Sequence, residues 1–186
     1  QEMEACRKDV KGVVEMISQK SQIYSRIYNI SQYLDRPLLL AGANQLRRKA
    51  AAGTDRVSPK WYRENLDINI NKLIEEVKNK TYQPYPARRV SIPKDDGSLR
   101  YLGIPATRDK HLQGAVLTLL EAIYEQHFYS HSYGFRPKRS AQMALRSLLD
   151  WLAPRKGAWV LEVDLSKFFD TIPHDRLLEV ISERIG

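Results

Sequence analysis

The sequence predicts an α+β fold in which helices predominate. Apolar residues recur at helical spacing through most of the chain. One pair of alternating segments flanks the turn signal Asp96-Gly97, which is typical of a β-hairpin. An apolar run, Trp159–Leu165, follows a further helical stretch near the end. Helices, then a hairpin, then a mixture of helix and strand favour α+β over a regular strand–helix alternation.

The first third of the chain is predicted to be helical. Residues 1–35 indicate one or two amphipathic helices, to which we assign no role. A second helix is predicted from Pro37 into Arg47-Arg-Lys49, with Gly53 as its C-terminal glycine. Ser58-Pro59 is typical of a helix N-terminus. The apolar positions of the first stretch are Val10, Val13, Val14, Ile17, Ile23, Ile27 and Ile30.

Proline ends the helical pattern at Tyr82-Gln-Pro-Tyr-Pro86. Arg89–Ile92 and Leu99–Ile104 are then predicted to pair as a hairpin. Lys94 and Arg100 flank its turn, so we expect them to face each other across its base.

Two hypotheses remain open for these hairpin cations. Lys94 and Arg100 could clamp a triphosphate, since lysine offers a point charge and arginine a fork of donors. Alternatively, the tip is an ordinary solvated turn in which Asp95 and Asp96 neutralise both cations.

The second half of the chain is predicted to alternate between helices and loops. A helix follows Pro105-Ala-Thr107, and another begins at Ser140. A buried strand is predicted over Ala158–Leu165, and Pro173 starts the last helix. Its inward residues should be Leu177, Leu178, Ile181 and Ile185.

The acid that closes the predicted last strand requires an explanation. A buried strand rarely tolerates a carboxylate such as Asp164 unless it is paired or holds a metal. Glu162 shares its parity, and Asp170 follows the strand end. Carboxylates of this kind hold the ions of two-metal phosphoryl transfer. The alternative is that Asp164 caps a turn or pairs with Lys167.

Two basic clusters are candidates for nucleic-acid contact. Gly134-Phe-Arg-Pro-Lys-Arg139 places an aromatic ring beside three cations, which suits a nucleic-acid backbone. Its alternative is a loop with a buried Phe135 and solvated charges. Arg47, Arg48 and Lys49 form the second cluster, and a solvated face is the alternative there.

Composition narrows the function classes. Lys and Arg outnumber Asp and Glu by 30 to 22, a net charge of +8 that favours a polyanionic partner, nucleic acid before membrane. Cys6 is the single cysteine, so a disulfide within the chain and a thiolate metal site are excluded. The four histidines lack the spacing of a zinc site, and we interpret them as non-ligands. With no predicted membrane span or signal peptide, we expect a cytoplasmic protein.

Three segments in this order resemble one known family. Arg88–Pro105 resembles the first core motif of group II intron reverse transcriptases, Ser132–Ser140 their second block, and Val160–His174 the metal-binding block that opens the palm. Ala50–Asp55 also resembles the Gly-x-Asp loop of their N-terminal extension. The resemblance covers roughly residues 36–186.

The resemblance implies the fingers and partial palm of a right-hand polymerase, truncated early in the palm. Residues 36–158 would form the N-terminal extension loop and fingers, and residues 159–186 the first strand and helix of the palm. An RNA template or intron RNA, primer DNA and a dNTP would be its partners, with no membrane. Self-association is left open, because apolar surface would be exposed where the missing palm packs.

Site residues also follow from the resemblance. Asp164 would be the catalytic carboxylate that binds both Mg²⁺ ions, and the Leu165 carbonyl would complete a metal shell. Lys94 and Arg100 would grip the incoming triphosphate, and Phe169 would exclude a ribose 2′-hydroxyl. The nucleic-acid-binding residues would be Arg47, Arg48, Lys49, Gly53, Thr54, Arg136, Lys138 and Arg139.

The departures from the family pattern limit the activity. The paired-aspartate motif of the palm, the thumb and any endonuclease segment are absent from this sequence. The two-metal site is therefore incomplete, and we predict that this RNA-directed DNA polymerase fragment is inactive alone. The alternative function is a non-catalytic, RNA-binding maturase module that promotes intron splicing.

Overall fold

The computed structural model describes residues 2–155 and 157–186, with side chains from residue 9 onward. Its helices are α1 (Glu2–Ile23), α2 (Arg36–Gln45), α3 (Pro59–Glu64), α4 (Leu66–Lys78), α5 (Thr107–Tyr124), α6 (Ala141–Leu152), α7 (Phe168–Thr171) and α8 (His174–Arg184). Its strands are β1 (Arg88–Pro93) and β2 (Leu99–Ile104), and short 3-10 turns cover Ile30–Tyr33 and Glu125–His127. A largely helical α+β fold with one hairpin is thereby confirmed among the described residues.

Local capping explains where several helices begin. The Ser58 side chain accepts from the Trp61 N–H at the start of α3, and Pro59 occupies the first turn. Ser140 accepts from the Met143 N–H in the same way at α6. Both predicted N-termini are confirmed. Asp35 caps α2 by accepting from the Leu38 N–H at 3.1 Å, a cap that the sequence analysis did not identify.

The end of α2 differs from the prediction. The helix ends at Gln45 because Leu46 takes an extended backbone, so Arg47-Arg-Lys49 lies in a loop. Gly53 is therefore not the C-terminal glycine of a helix. It is a buried loop residue, and a Cβ there would lie 2.5 Å from the Ala106 Cα.

The core lies among α1, α2, α4 and α5. Its most buried side chains are Ile17, Leu38, Leu39, Ile70 and Ile123. Apolar burial on this scale is the main stabilising contribution to the fold. In the described part of the chain no helix is long and apolar enough to cross a membrane.

The hairpin forms at the predicted place, with Ile92 opposite Arg100 and Pro93 opposite Leu99. The Lys94 N–H donates to the Ser98 carbonyl, so Lys94 lies opposite Ser98. The expectation that Lys94 faces Arg100 directly is therefore wrong. The two cations instead lie diagonally on the same face, because side chains two positions apart along a strand share a face.

The predicted strand over Ala158–Leu165 is absent from the structure, which has no regular element there. Its side chains are exposed rather than buried, with Trp159 at 102% and Leu161 at 87%. A strand requires a neighbour to satisfy its backbone groups, and β1 and β2 pair only with each other among the described residues. The premise that Asp164 closes a buried strand is consequently wrong. Lys156, at the predicted entry to this strand, lies outside the described residues.

Helix α8 is attached to the core at its C-terminal end. Ile185 forms a parallel bridge with Ile27, and Arg184 donates to the Ser21 and Ser25 carbonyls and to the His127 Nε2 at 2.7 Å. Leu177 and Leu178, which we expected to be inward, are 44% and 61% exposed. The reason is that few described residues lie over the rest of α8.

Candidate functional site

One cleft brings together residues that lie far apart in the sequence. Its volume is about 750 Å³, and it is open to solvent. The hairpin contributes one wall, and the segment that leads into α7 contributes the other. The lining residues are Lys94, Arg100, Val163, Asp164, Leu165, Lys167, Phe168, Phe169 and Asp170.

The hairpin cations are not neutralised by their neighbours. Among the described residues, neither Lys94 nor Arg100 forms an ion pair with Asp95 or Asp96. The Asp96 carboxylate instead accepts from the Ser98 hydroxyl at 2.6 Å and from the Ser98 N–H at 2.9 Å. These hydrogen bonds lower the pKa of Asp96. Asp96 therefore shapes the turn, and both cations are free to attract an anion in the cleft.

The carboxylates of the opposite wall are exposed. Asp164 and Asp170 line the cleft, and neither pairs with Lys167 in the part of the chain that the structure describes. The alternative that Asp164 pairs with Lys167 is therefore wrong. Carboxylate and carbonyl oxygens are the ligands that Mg²⁺ prefers, so the Asp164 and Asp170 carboxylates and the Leu165 carbonyl fit that ion chemically. The described residues contain no group of three or more His, Cys, Asp or Glu side chains that could hold a metal, so further ligands would be required.

Two phenylalanine rings, Phe168 and Phe169, line the cleft, and a third, Phe135, contacts Phe169 from outside this lining. The Phe169 ring is 77% exposed and contacts Phe168 edge-on at a centroid distance of 5.4 Å. Phe135 approaches Phe169 from a different loop at 6.5 Å, also edge-on. Lys167 precedes α7 with a φ of 52°, a left-handed conformation that is unusual for lysine. An accessible ring therefore stands beside the acids and cations.

The loop that contains Gly53 and Thr54 is tied to the base of the hairpin. The Thr54 hydroxyl donates to the Pro86 carbonyl at 2.8 Å, and Arg88 donates to the Ala52 carbonyl at 3.1 Å. Lys110 donates to the Ala51 carbonyl at 2.7 Å. Gly53 permits this close packing against Ala106. The observed contacts of Gly53 and Thr54 are thus structural, and nucleic-acid contact there remains a prediction.

In the loop Ser132–Arg139, the burial of two adjacent residues is the reverse of the alternative considered from the sequence. Phe135 is 99% exposed, so the alternative with a buried Phe135 is wrong. The Arg136 side chain is only 7% exposed and forms an ion pair with Glu125 at 2.8 Å. It also donates to the carbonyls of Tyr129 and Ser132. Arg136 holds this loop, whereas Lys138 is exposed, and nucleic-acid contact by either residue remains a prediction.

The other predicted basic residues lie at the surface. Arg47, Arg48 and Lys49 are exposed in the loop after α2. Arg139 donates to the Ser130 carbonyl at 3.1 Å and lies over the Tyr133 ring at 5.4 Å. Their nucleic-acid role also remains a prediction.

A buried polar network supports the hairpin and was not identified from the sequence. Asp109 is 1% exposed and accepts from the Tyr82 hydroxyl at 2.5 Å and the Tyr85 N–H at 3.0 Å. Burial and the hydrogen bond to Asp109 raise the pKa of Tyr82. The network attaches residues 82–85, which lead into β1, to the first turn of α5. No sequence periodicity marks Asp109 as buried, because its partners lie 24 and 27 residues earlier.

A second buried pair lies beside this network. The His111 Nε2 donates to the Leu39 carbonyl at 2.6 Å, and in the neutral imidazole this leaves Nδ1 to accept from the Tyr62 hydroxyl at 3.0 Å. Burial lowers the pKa of His111 and raises that of Tyr62. Both shifts disfavour the charged forms of this buried pair.

Comparison with known proteins gives consistent matches. The family model described as Reverse transcriptase (RNA-dependent DNA polymerase) matches residues 92–185, which include β2 and the second wall of the cleft. Protein YkfC of Escherichia coli is 39% identical over 168 residues, covering 87% of this chain and 44% of that protein. Group II intron-encoded protein LtrA of Lactococcus lactis is 35% identical over 185 residues, covering 96% of this chain and 30% of that protein. An uncharacterized 91 kDa protein in the cob intron of Schizosaccharomyces pombe is 34% identical over 185 residues, covering 96% of this chain and 22% of that protein. The chain thus spans less than half the length of these relatives.

Proposed function

Because the chain belongs to the reverse transcriptase family of group II intron-encoded proteins, we propose that it forms the fingers and the start of the palm of an RNA-directed DNA polymerase. One observation carries the proposal: Lys94 and Arg100 of the hairpin line the same cleft as Asp164 and Phe169. A polyanionic nucleotide would meet cations on one wall and metal-binding oxygens on the other.

The hairpin cations would bind the triphosphate of the incoming dNTP. Arg100 can donate two hydrogen bonds to one phosphate, and Lys94 adds a mobile point charge on the same face. Phosphoryl transfer depends chiefly on positioning and charge neutralisation rather than on covalent steps by the protein. Two uncommitted cations opposite the acids supply both requirements.

Asp164 and the Leu165 carbonyl would hold Mg²⁺ together with phosphate oxygens, and Asp170 lines the same cleft. When bound, two such ions neutralise charge on the attacking and leaving oxygens. The chain's own part is to present these oxygens opposite Lys94 and Arg100. The donor set is incomplete, and we propose that this polypeptide alone does not extend a primer.

Phe169 would select the sugar. Its exposed ring lies at the rim of the cleft, where a ribose 2′-hydroxyl would collide with it. Such a steric clash discriminates by repulsion and requires no hydrogen bond. In a polypeptide that carries the rest of the polymerase, Phe169→Ala should incorporate ribonucleotides, and unchanged sugar selectivity would contradict this role.

A second candidate function is an RNA grip that assists intron splicing. Arg47, Arg48, Lys49 and Lys138 favour it, because these exposed cations form no ion pair among the described residues and suit phosphate contacts without any chemistry. RNA affinity of the chain should then fall steeply with salt. Affinity that is flat with salt, or undetectable, would contradict both the grip and template binding.

Nucleotide binding tests the first proposal directly on this chain. Titration of a fluorescent dNTP analogue with Mg²⁺ should show saturable binding, and Lys94→Gln and Arg100→Gln should each weaken it about tenfold. Lys60→Gln removes an exposed lysine that does not line the cleft and is the matched control. Equal affinities in all four proteins would overturn the assignment of the cleft.

A further inference from the structure

The loop Ser132–Arg139 holds a large aromatic ring in solvent. Phe135 is 99% exposed, and its backbone is left-handed with a φ of 55°. Neither burial nor backbone preference accounts for phenylalanine at such a position, since both disfavour it. Strained residues of this kind are typical of ligand-binding positions. The exposed, left-handed Phe135 is therefore a candidate for contact with a ligand.

The base of the loop is rigid. Arg136 is nearly buried, pairs with Glu125 and donates to the Tyr129 and Ser132 carbonyls at 2.8 Å each. Ser140 caps α6 directly after the loop. A ring held on such a base is pre-organised, so less entropy is lost when a flat ligand stacks on it.

The surroundings of Phe135 specify the chemistry of that ligand. The ring lies edge-on to Phe169, which lines the cleft, and exposed Lys138 lies three residues further along the same loop. The cleft itself presents Lys94 and Arg100. An exposed ring beside cations is the arrangement that stacks bases of a single strand while the backbone is neutralised. An apolar protein segment would leave these cations without a partner.

We propose that Phe135 is a stacking platform for an unpaired base of the RNA strand at the rim of the cleft. The proposal rests on the proposed binding of an RNA template. It assigns a contact to the aromatic ring of the loop and leaves Arg136 as the residue that positions this ring. The energy of the contact comes from the face of the base, so it is insensitive to salt and tolerant of base identity.

The test compares a single-stranded oligoribonucleotide with the same strand carrying abasic sites, by fluorescence anisotropy on the full chain. Phe135→Ala should weaken binding of the intact strand by about tenfold and leave the salt dependence unchanged. On the abasic strand the wild type and Phe135→Ala should bind equally, because the stacking partner is missing. Phe135→Tyr should restore the affinity.

Controls separate the possible failures. Trp159→Ala removes an equally exposed ring that makes no ring contact with Phe169 among the described residues, and it should leave RNA affinity unchanged. If Phe135→Ala weakens both strands equally, the residue is structural and the platform is overturned. If Phe135→Ala binds both strands like the wild type, the platform is overturned while template binding stands. If the wild type binds no RNA, the proposed function falls first and the platform with it.

Discussion

Two aspartates illustrate how differently the two regions of this molecule are built. Asp109 belongs to the helical base, the part of the molecule built on α1, α2, α4 and α5. It is 1% exposed, and its carboxylate accepts from two protein donors. Asp164 belongs to the region after residue 128, which forms the second wall of the cleft. It is exposed and has no protein partner among the described residues. The first carboxylate stabilises the fold, and the second is available to a ligand. The same side chain is therefore bound into the fold or left available to a ligand according to the packing around it.

The contrast extends to apolar residues. The base buries Ile17, Ile70 and Ile123 completely. The region after residue 128 exposes Leu149 at 65% and Val163 at 74%. Apolar burial therefore stabilises the helical base far more than the region after residue 128, and substitutions in the two regions should differ in their effect on stability.

The largest expected effect is on activity in the cleft region. In a polypeptide that carries the complete polymerase, Asp164→Ala should lower primer extension at least about a thousandfold, because metal-mediated charge stabilisation is worth several kcal/mol. The free energy of unfolding of this chain should change by less than about 0.5 kcal/mol, since the carboxylate is exposed. Primer-extension rates and urea unfolding measure the two quantities. Retained extension would disprove the metal role.

The next effect is on stability in the base. Ile123→Ala should lower the free energy of unfolding by about 2–5 kcal/mol, because it opens a cavity at a fully buried site. Leu149→Ala, on the exposed face of α6, should cost less than about 0.5 kcal/mol. Urea denaturation compares them. Equal losses of unfolding free energy would show that α6 packs against another surface in solution. The contrast in burial between the two regions would then be wrong.

A smaller effect should follow from the buried carboxylate. Asp109→Ala leaves the Tyr82 hydroxyl and Tyr85 N–H without their acceptor, which should cost about 1–3 kcal/mol. Asp170→Ala removes an exposed carboxylate of the cleft and serves as the matched control, with almost no change expected. A neutral outcome for Asp109→Ala would show that water replaces the carboxylate.

The smallest effect is a pH dependence of the free energy of unfolding that comes from His111 in the helical base. Burial lowers the pKa of His111, so the folded chain resists a proton that the unfolded chain accepts below a pH of about 6.5. Stability from this residue is present above that pH and is lost as the pH falls, by at most about 1.4 kcal/mol per pH unit. Urea unfolding between pH 7 and 5 should show a shallower decline for His111→Gln than for the wild type. Parallel curves would mean that His111 titrates alike in both states.

Local signals predicted the parts of the fold that local chemistry determines. Ser58-Pro59, Ser140 and the Asp96-Gly97 turn were identified correctly, because each depends on residues within a few positions. The candidate cleft residues were chosen by motif, and the structure places five of them around one cavity: Lys94, Arg100, Asp164, Leu165 and Phe169.

Long-range partners account for what the sequence analysis missed. The apolar run Ala158–Leu165 has strand composition, yet a strand depends on a neighbour that no local pattern reveals. Asp109 and His111 look like ordinary polar positions on α5, and their partners Tyr82 and Tyr62 are remote in sequence. Phe135 and Arg136 are adjacent, so no periodicity indicates which of them turns inward.

The contact between Arg184 and His127 has a mechanical consequence for the cleft region. Residues 128–183 leave the helical base and return to it at the same place, so this excursion is a closed ring rather than a free tail. Ring closure restricts how far its middle can travel, although its backbone is largely exposed. Because Arg136 also pairs with Glu125 near the start of this excursion, the wall that carries Asp164 is tethered at both of its ends and should move only over short distances.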